Sequence, residues 1–292
     1  MKKILVLSLW LAGCTAAPTP IIIESDESTP IPIATATIAI ATPNASPKIS
    51  IAIPSPSLVV PAIPSPTRAP LLAALNKTLA AKIYRVTMTL NVKIGNAPAF
   101  GLNLQSVQNG DDAQSMYQLG AENIELIEVG GQHFVKGARA LGVPNISKWY
   151  SITPDLADAV RYPFAPEEIL AAIAATGLTQ NFSASARETL DGINCAVWSY
   201  RPGSLADAGI GRALGLDAPN NAFEFVEQAE MKMWLCDDGA LHQLMIDVAA
   251  HKVASISEKG NLKLTIHVWD FNNAAINIRA PANSEPFQLR AP

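Results

Sequence analysis

From Ile83 to Ile94 apolar and polar residues alternate without a break. Tyr84, Val86, Met88, Leu90, Val92 and Ile94 fall on one side, and Arg85, Thr87, Thr89, Asn91 and Lys93 on the other. A period of two over a dozen residues predicts an antiparallel strand with one covered face and one solvated face. After the turn GNAPAF the pattern resumes with Phe100, Leu102 and Leu104, and NGDD ends that strand with turn residues. SMYQL, NIELIEV and HFVKG read as shorter strands separated by Gly120 and the Gly130-Gly131 pair.

Helical spacing appears in three places. LLAALNKTLAAK precedes the first strand and contains neither Gly nor Pro. PDLADAVRY is a weaker helix, and APEEILAAIAATG a stronger one, with Pro166 near its start, Glu167 and Glu168 in its first turn and Gly177 as a stop. Strands then return as LTQNFSASARETL and INCAVWSY, joined by Asp191-Gly192, followed by a short helical piece in GSLADAGIGRALG. FEFVEQAEMKMWL and ALHQLMIDVAAHKVASI flank the turn Asp237-Asp238-Gly239, and LKLTIHVWDF and AINIRAP close the series. Roughly nine or ten strands with two or three helices grouped mid-chain describe an α+β, antiparallel domain, not an alternating α/β one. All of it lies in residues 71–292 of the 292-residue chain.

The remainder reads differently. Lys2 and Lys3 precede the apolar run Ile4 to Leu11, and Ala12-Gly13 supply the small residues of a cleavage site, so residues 1–13 read as an export signal. That run is too short to cross a bilayer as a helix, which needs about 20 residues. Leu11-Ala12-Gly13-Cys14 resembles the bacterial lipobox, which implies a diacylglyceryl group on the Cys14 sulfur and an N-terminal Cys14 after cleavage. Palmitate-like acyl chains add about 0.8 kcal/mol per buried methylene, enough for two or three chains to anchor a protein to the extracytoplasmic side of a membrane. Residues 14–70 follow as a Pro/Ala/Ile/Thr/Ser tract such as TPIPIATATIAIATPNASP, where prolines interrupt every run with strand propensity. The expectation is a disordered, partly polyproline-II stalk whose fully extended reach is on the order of 150 Å, at about 3.1 Å per residue.

Charge and cysteine content narrow the function. Only 16% of residues are charged and the net charge is -4, so there is no basic footprint for nucleic acid. With Cys14 assigned to lipid, Cys195 and Cys236 remain, and export favours a disulfide between them over two buried thiols. If they face one another, Ile193, Val197 and Trp234 share their face, while Ala196, Trp198, Tyr200, Met231, Met233 and Leu235 lie opposite. The spacing is not that of a C-x-x-C redox site. His133, His242, His251 and His267 form no metal-binding motif and read as surface or strand-edge residues, no nucleophile elbow is present, and GIGRALG lacks the βαβ setting of a dinucleotide loop. The chain reads as a non-enzyme with no metal and no cofactor.

What remains is apolar surface. Tyr84, Met88, Leu90, Phe100, Leu102, Leu104 and Met116 on the strands stand opposite Ile169, Leu170 and Ile173 on an alanine-rich helix. Two arrangements satisfy that pattern: a gap between sheet and helix that takes a lipid or other apolar molecule, or a helix that fills the concavity. AALNKTLAAKIYRVTMTLNV, NIELIEVGGQHFVKG leading to SKWYSI, the hairpin MKMWLCDDGALHQLMIDV and the closing DFNNAAINIRAP resemble the LppX/LprG-type lipoproteins and the LolA/LolB-like carriers. The resemblance implies a strongly curved antiparallel sheet, a half-barrel, with helices covering the concave face. It also implies room there for acyl chains, a role in lipid transport, and no catalytic residues. The alternative is a non-enzymatic interaction or structural module of the cell envelope with a filled core.

Overall fold

The computed structural model describes residues 69–139, 142–161, 165–203, 223, 225–252 and 255–287. The signal segment, Cys14 and the stalk up to residue 68 lie outside the described residues, as does GIGRALG. The first element is helix α1, Ala69–Ala80, which begins two residues before the predicted boundary. Pro70 fits there because its missing N–H falls among first-turn donors that have no helical acceptor anyway. Strands β1 (Ile83–Ile94), β2 (Phe100–Asn109), β3 (Asp112–Leu119), β4 (Glu122–Val129), β5 (Gln132–Lys136) and β6 (Trp149–Ile152) form a first meander. Helices α2 (Pro154–Arg161) and α3 (Pro166–Ala175) follow, then a single 3₁₀ turn over Leu178–Asn181. The second meander is β7 (Ser183–Leu190), β8 (Ile193–Tyr200), β9 (Phe225–Cys236), β10 (Leu241–Lys252) and β11 (Ser255–Trp269), and β12 (Ser284–Pro286) ends the described chain.

All twelve strands belong to one open, curved sheet in the order β12-β6-β5-β4-β3-β2-β1-β11-β10-β9-β8-β7. Each pairing is antiparallel except β12 with β6. The two meanders join where β1 lies against β11, from Arg85 opposite Trp269 to Ile94 opposite Gly260. Tight turns set the hairpins. Asp191 and Gly192 have φ of 53° and 78°, and Gly130 and Gly131 have 56° and 73°. Paired left-handed residues of this kind match the twist of the flanking strands. Register shifts in β7 and along β10 bend the second meander.

Three readings change on contact with the structure. LTQN is a 3₁₀ turn, not the start of a strand, because Gly177 enters the left-handed region and reverses the chain. The long run through ALHQLMIDVAAHKVASI divides, with β10 ending at Lys252 and β11 beginning at Ser255. AINIRAP is not a strand. Residues 270–283 run across the sheet as a strap, held by Arg85 to Asp270 at 2.9 Å, Asn109 Nδ2 donating to the Ile276 carbonyl at 2.9 Å, and Ile278 packing on Ile127 and Phe134. Isoleucine alternation describes a covered face, and a strap can supply one as well as a strand can.

Candidate functional site

The concave face of the sheet holds one continuous apolar cluster. Val86, Met88 and Leu90 of β1, Leu102 and Leu104 of β2, Leu262, Leu264 and Ile266 of β11 and Leu244 and Ile246 of β10 meet Leu71 and Leu75 of α1 and Ile169, Leu170 and Ile173 of α3. Ile173 has no exposed surface, and α1 packs on α3 and on β10. Thr78 fixes α1 to the strand below: its Oγ1 donates to the Leu241 carbonyl at 3.0 Å and accepts from the Leu241 N–H at 2.9 Å. Of the residues expected to line a pocket, Met88, Leu90, Leu102, Leu104, Ile169, Leu170 and Ile173 are thus packed against one another, and Tyr84 lies half-buried beside them. Phe100 has inward parity but sits at the start of β2 and is 40% exposed. Met116 is on the other side of the sheet. The two-residue turn after β2 sets Leu104 opposite Tyr117, so Ala113, Ser115 and Tyr117 point inward and Met116, 41% exposed, points out. The phase of SMYQL follows from that turn, a signal present in NGDD.

Space opens elsewhere. A hollow of about 480 Å³ lies between α1 and the β8–β9 side of the sheet. Pro70, Ala73, Ala74, Ala196 and Leu235 make its floor, and Lys77, Arg187 and Asp237 its rim. It exists because α1 presents alanines here while the larger Leu71 and Leu75 turn into the core. Lys77 Nζ donates to the Asp238 carbonyl, and Arg187 Nη2 lies 3.0 Å from Asp237 Oδ1, which ties the rim to the β9–β10 turn. A second hollow, about 490 Å³, lies at the β4–β5 side and is lined by charged and polar groups including Glu122, Asn123, Glu125, Lys136 and Arg139. Beside it Gly137 is obligatory. Its φ is +82°, and a Cβ there would meet the Asn123 carbonyl oxygen at 1.9 Å.

At one end of the concave face the apolar lining gives way to a buried polar cluster that the strand pattern did not reveal. Glu128 of β4, 7% exposed, accepts from Arg161 Nη2 of α2, and its Oε1 lies 3.0 Å from His133 Nδ1 of β5. Ser106 and Ser115 bond across β2 and β3 at 2.8 Å. The only signal in the sequence is one carboxylate at an inward position of NIELIEV. Ala157 is the one fully buried residue of α2, and Leu156 and Val160 pack against the core beside it, so the ion pair adds to a small apolar contact in tying the helix to the sheet. Burial alone would lower the Arg161 pKa, but the adjacent Glu128 carboxylate holds it above its ordinary value.

Burial pushes the phenol of Tyr117 up to about 12, against a hydrogen bond to Ser115 that lowers it. Tyr84 is likewise raised to about 12, by burial and then by the negative charge of Glu167. Both phenols are therefore higher in the folded than in the unfolded chain. The stability they contribute is complete below pH 10 and is lost as pH rises through 12. An ultraviolet absorbance titration is expected to show a late-ionising tyrosine signal that decreases in each of Tyr84→Phe and Tyr117→Phe; early ionisation of both phenols would contradict their burial.

The convex side carries the cysteines. Cys195 and Cys236 are directly opposite on β8 and β9 and are joined by a disulfide. Val197, Trp234 and Ile193 pack with them, while Trp198, Met231 and Met233 face the main core, the division predicted from strand parity. Nearby, His242 is 2% exposed, not at the surface as expected. Its Nε2 lies 2.9 Å from Asp238 Oδ2, and the Asp191 carboxylate stands 2.7 Å from His267 Nε2. The β9–β10 register shifts at this residue, between Leu241 and Gln243. Among the described residues no group of three His, Cys, Asp or Glu side chains is placed to hold a metal, and no helix is long and apolar enough to cross a membrane.

No protein-family profile and no curated relative matches the chain. Among solved structures it is similar to LprF from Mycobacterium bovis, with 16% identity over 74% of this chain and 97% of that one and a TM-score of 0.44. The lipoprotein LppX from Mycobacterium tuberculosis aligns with 12% identity over 73% and 97%, at a TM-score of 0.39. A LolA superfamily protein from Nitrosomonas europaea aligns with 8% identity over 72% and 94%, at 0.25. These neighbours fall within the groups that the sequence resembles.

Proposed function

We propose that this chain is an exported, lipid-anchored protein of the cell envelope whose folded domain binds an apolar ligand between the curved sheet and its helices. It is anchored through Cys14, held away from the membrane by residues 14–70, and performs no covalent chemistry. The observation that carries the binding reading is the alanine- and leucine-floored hollow of about 480 Å³ under α1, within the size range of small-ligand sites. Small and apolar side chains (Pro70, Ala73, Ala74, Ala196 and Leu235) stand beside the charged Lys77, Arg187 and Asp237, which suits a molecule with an apolar body and a polar end. Met88, Leu90, Leu102, Leu104, Ile169, Leu170 and Ile173 lie in the core beside this hollow.

The test has two parts. Native mass spectrometry of the protein taken from membranes should find a co-purifying lipid, and a fluorescent fatty acid should bind and be displaced by that lipid extract. Ala73→Trp, on the exposed side of α1 at the hollow, should block uptake; unaltered uptake would remove the site from this hollow. Separately, Cys14→Ser should shift the protein from the membrane to the soluble fraction, and continued membrane retention would contradict the anchor. A second reading, an envelope interaction module with a filled core, draws on the close packing of α3 into β1 and β2. Lipid-free protein with no fatty-acid uptake would favour it.

A further inference from the structure

The hollow between α1 and the β8–β9 side carries its charges unevenly. Among the described residues Lys77 and Arg187 supply positive charge to its lining and only Asp237 supplies negative charge, in a chain whose net charge is -4. The two cations are engaged differently. Arg187 is matched, with Nη2 3.0 Å from Asp237 Oδ1. Lys77 forms no ion pair among the described residues; its Nζ donates to the Asp238 carbonyl, a neutral acceptor. The Asp238 carboxylate feels the Lys77 charge without bonding to it. That carboxylate is no part of the lining: it accepts from the Ala240 N–H at 3.0 Å and lies 2.9 Å from His242 Nε2. The Lys77 ammonium therefore keeps an unneutralised charge and further N–H donors beside the hollow.

Helix geometry fixes where that charge stands. Pro70, Ala73, Ala74 and Lys77 fall at i, i+3, i+4 and i+7 and share one stripe of α1. At a rise of 1.5 Å per residue, the stripe runs about 10 Å from Pro70 to Lys77. Its first three members are small or apolar, Ala196 and Leu235 line the hollow from the sheet, and the lysine stands at the end. Leu71 and Leu75 of the same helix are turned into the core with no exposed surface, so neither fills this space.

We infer that the hollow takes a single-chain amphiphile with an anionic head, a carboxylate or a phosphate monoester, its chain along the Pro70–Ala74 stripe and its head at Lys77 Nζ. The inference rests on the hollow being the ligand site proposed above and adds the charge of the ligand. An anionic head gains a charge-assisted hydrogen bond from the ammonium, the stronger kind. A neutral head gains only an ordinary one, and a cationic head meets the ammonium as a like charge. One helix stripe against two strands makes a track for one chain.

The full chain carrying Cys14→Ser, without its acyl group, allows calorimetric titration in the absence of detergent. Decanoate and decyl phosphate should bind about tenfold more tightly than decanol, with decyltrimethylammonium weakest. The tighter of the two anions tells whether carboxylate or phosphate is the better-matched head. Lys77→Met, which keeps the stem and the helix propensity, should bring both anions down to the affinity of decanol and leave decanol unchanged. Lys77→Arg should retain the preference, and added salt should shrink it. Equal binding of anions and decanol, or a preference that survives Lys77→Met, would overturn the inference and leave the hollow as an apolar site. Binding of none of the four probes, or binding that Ala73→Trp does not disturb, would overturn the hollow as a ligand site and the inference with it.

Discussion

Replacing Cys195 and Cys236 together by alanine is expected to lower the free energy of unfolding by about 4 kcal/mol, the chain-entropy value for a bridge closing a loop of this size. The two cysteines are 41 residues apart, and the loop they close contains the whole connection from β8 to β9. In the unfolded chain the bridge restricts that loop, and its loss restores the lost conformations. On the native side the alanines keep the two buried positions beside the Val197–Trp234 pair but leave the volume of the two sulfurs unfilled, which adds to the loss. Urea unfolding of the double variant beside the oxidised protein measures the difference. A loss under about 1 kcal/mol would mean that the unfolded chain is already restricted there, or that the native bridge is opposed by its surroundings.

Ile173→Ala should cost about 2–5 kcal/mol, the range for removing a large buried aliphatic side chain. Ile173 is fully buried, in the cluster where α3 meets Met88, Leu90, Leu102 and Leu104. Ordinary transfer energy accounts for part of the loss, and the unfilled volume left between helix and sheet for the rest. The size of the effect separates the two arrangements that the amino-acid pattern allowed. A large loss, with uptake of benzene or xenon into the new cavity, marks a closed concave face. A loss below about 1 kcal/mol would mean that α3 rests loosely and that the concavity can open to a ligand.

The strands themselves were legible. Ile83–Ile94 and Ile193–Tyr200 occur with the bounds that alternation predicts, and the faces of β8 and β9 follow from where two cysteines can meet. Errors arose where a local pattern has two physical solutions. SMYQL alternates in either phase, and only the length of the turn before it sends Tyr117 inward and Met116 out. AINIRAP covers apolar surface without ladder partners of its own. Glu128 was invisible because nothing near it in the chain announces Arg161, which approaches from α2.

The hollow under α1 was less legible still. Lys77 and Asp238 meet there from 161 positions apart. No window of residues contains both sides.

What the amino-acid sequence determined by itself was a set of one-residue-scale facts: which side chains share a face, where the chain must turn, and which cysteines can pair. These follow from backbone geometry and need no distant neighbour. The tertiary structure decided how the two meanders join along β1 and β11, and that the concave face is packed beneath α1 and α3 while a hollow remains at the flank of α1 beside β8 and β9. Filling is a comparison of volumes contributed by segments far apart in the chain. Alternation records that a side chain is covered, and leaves unstated by what and how closely.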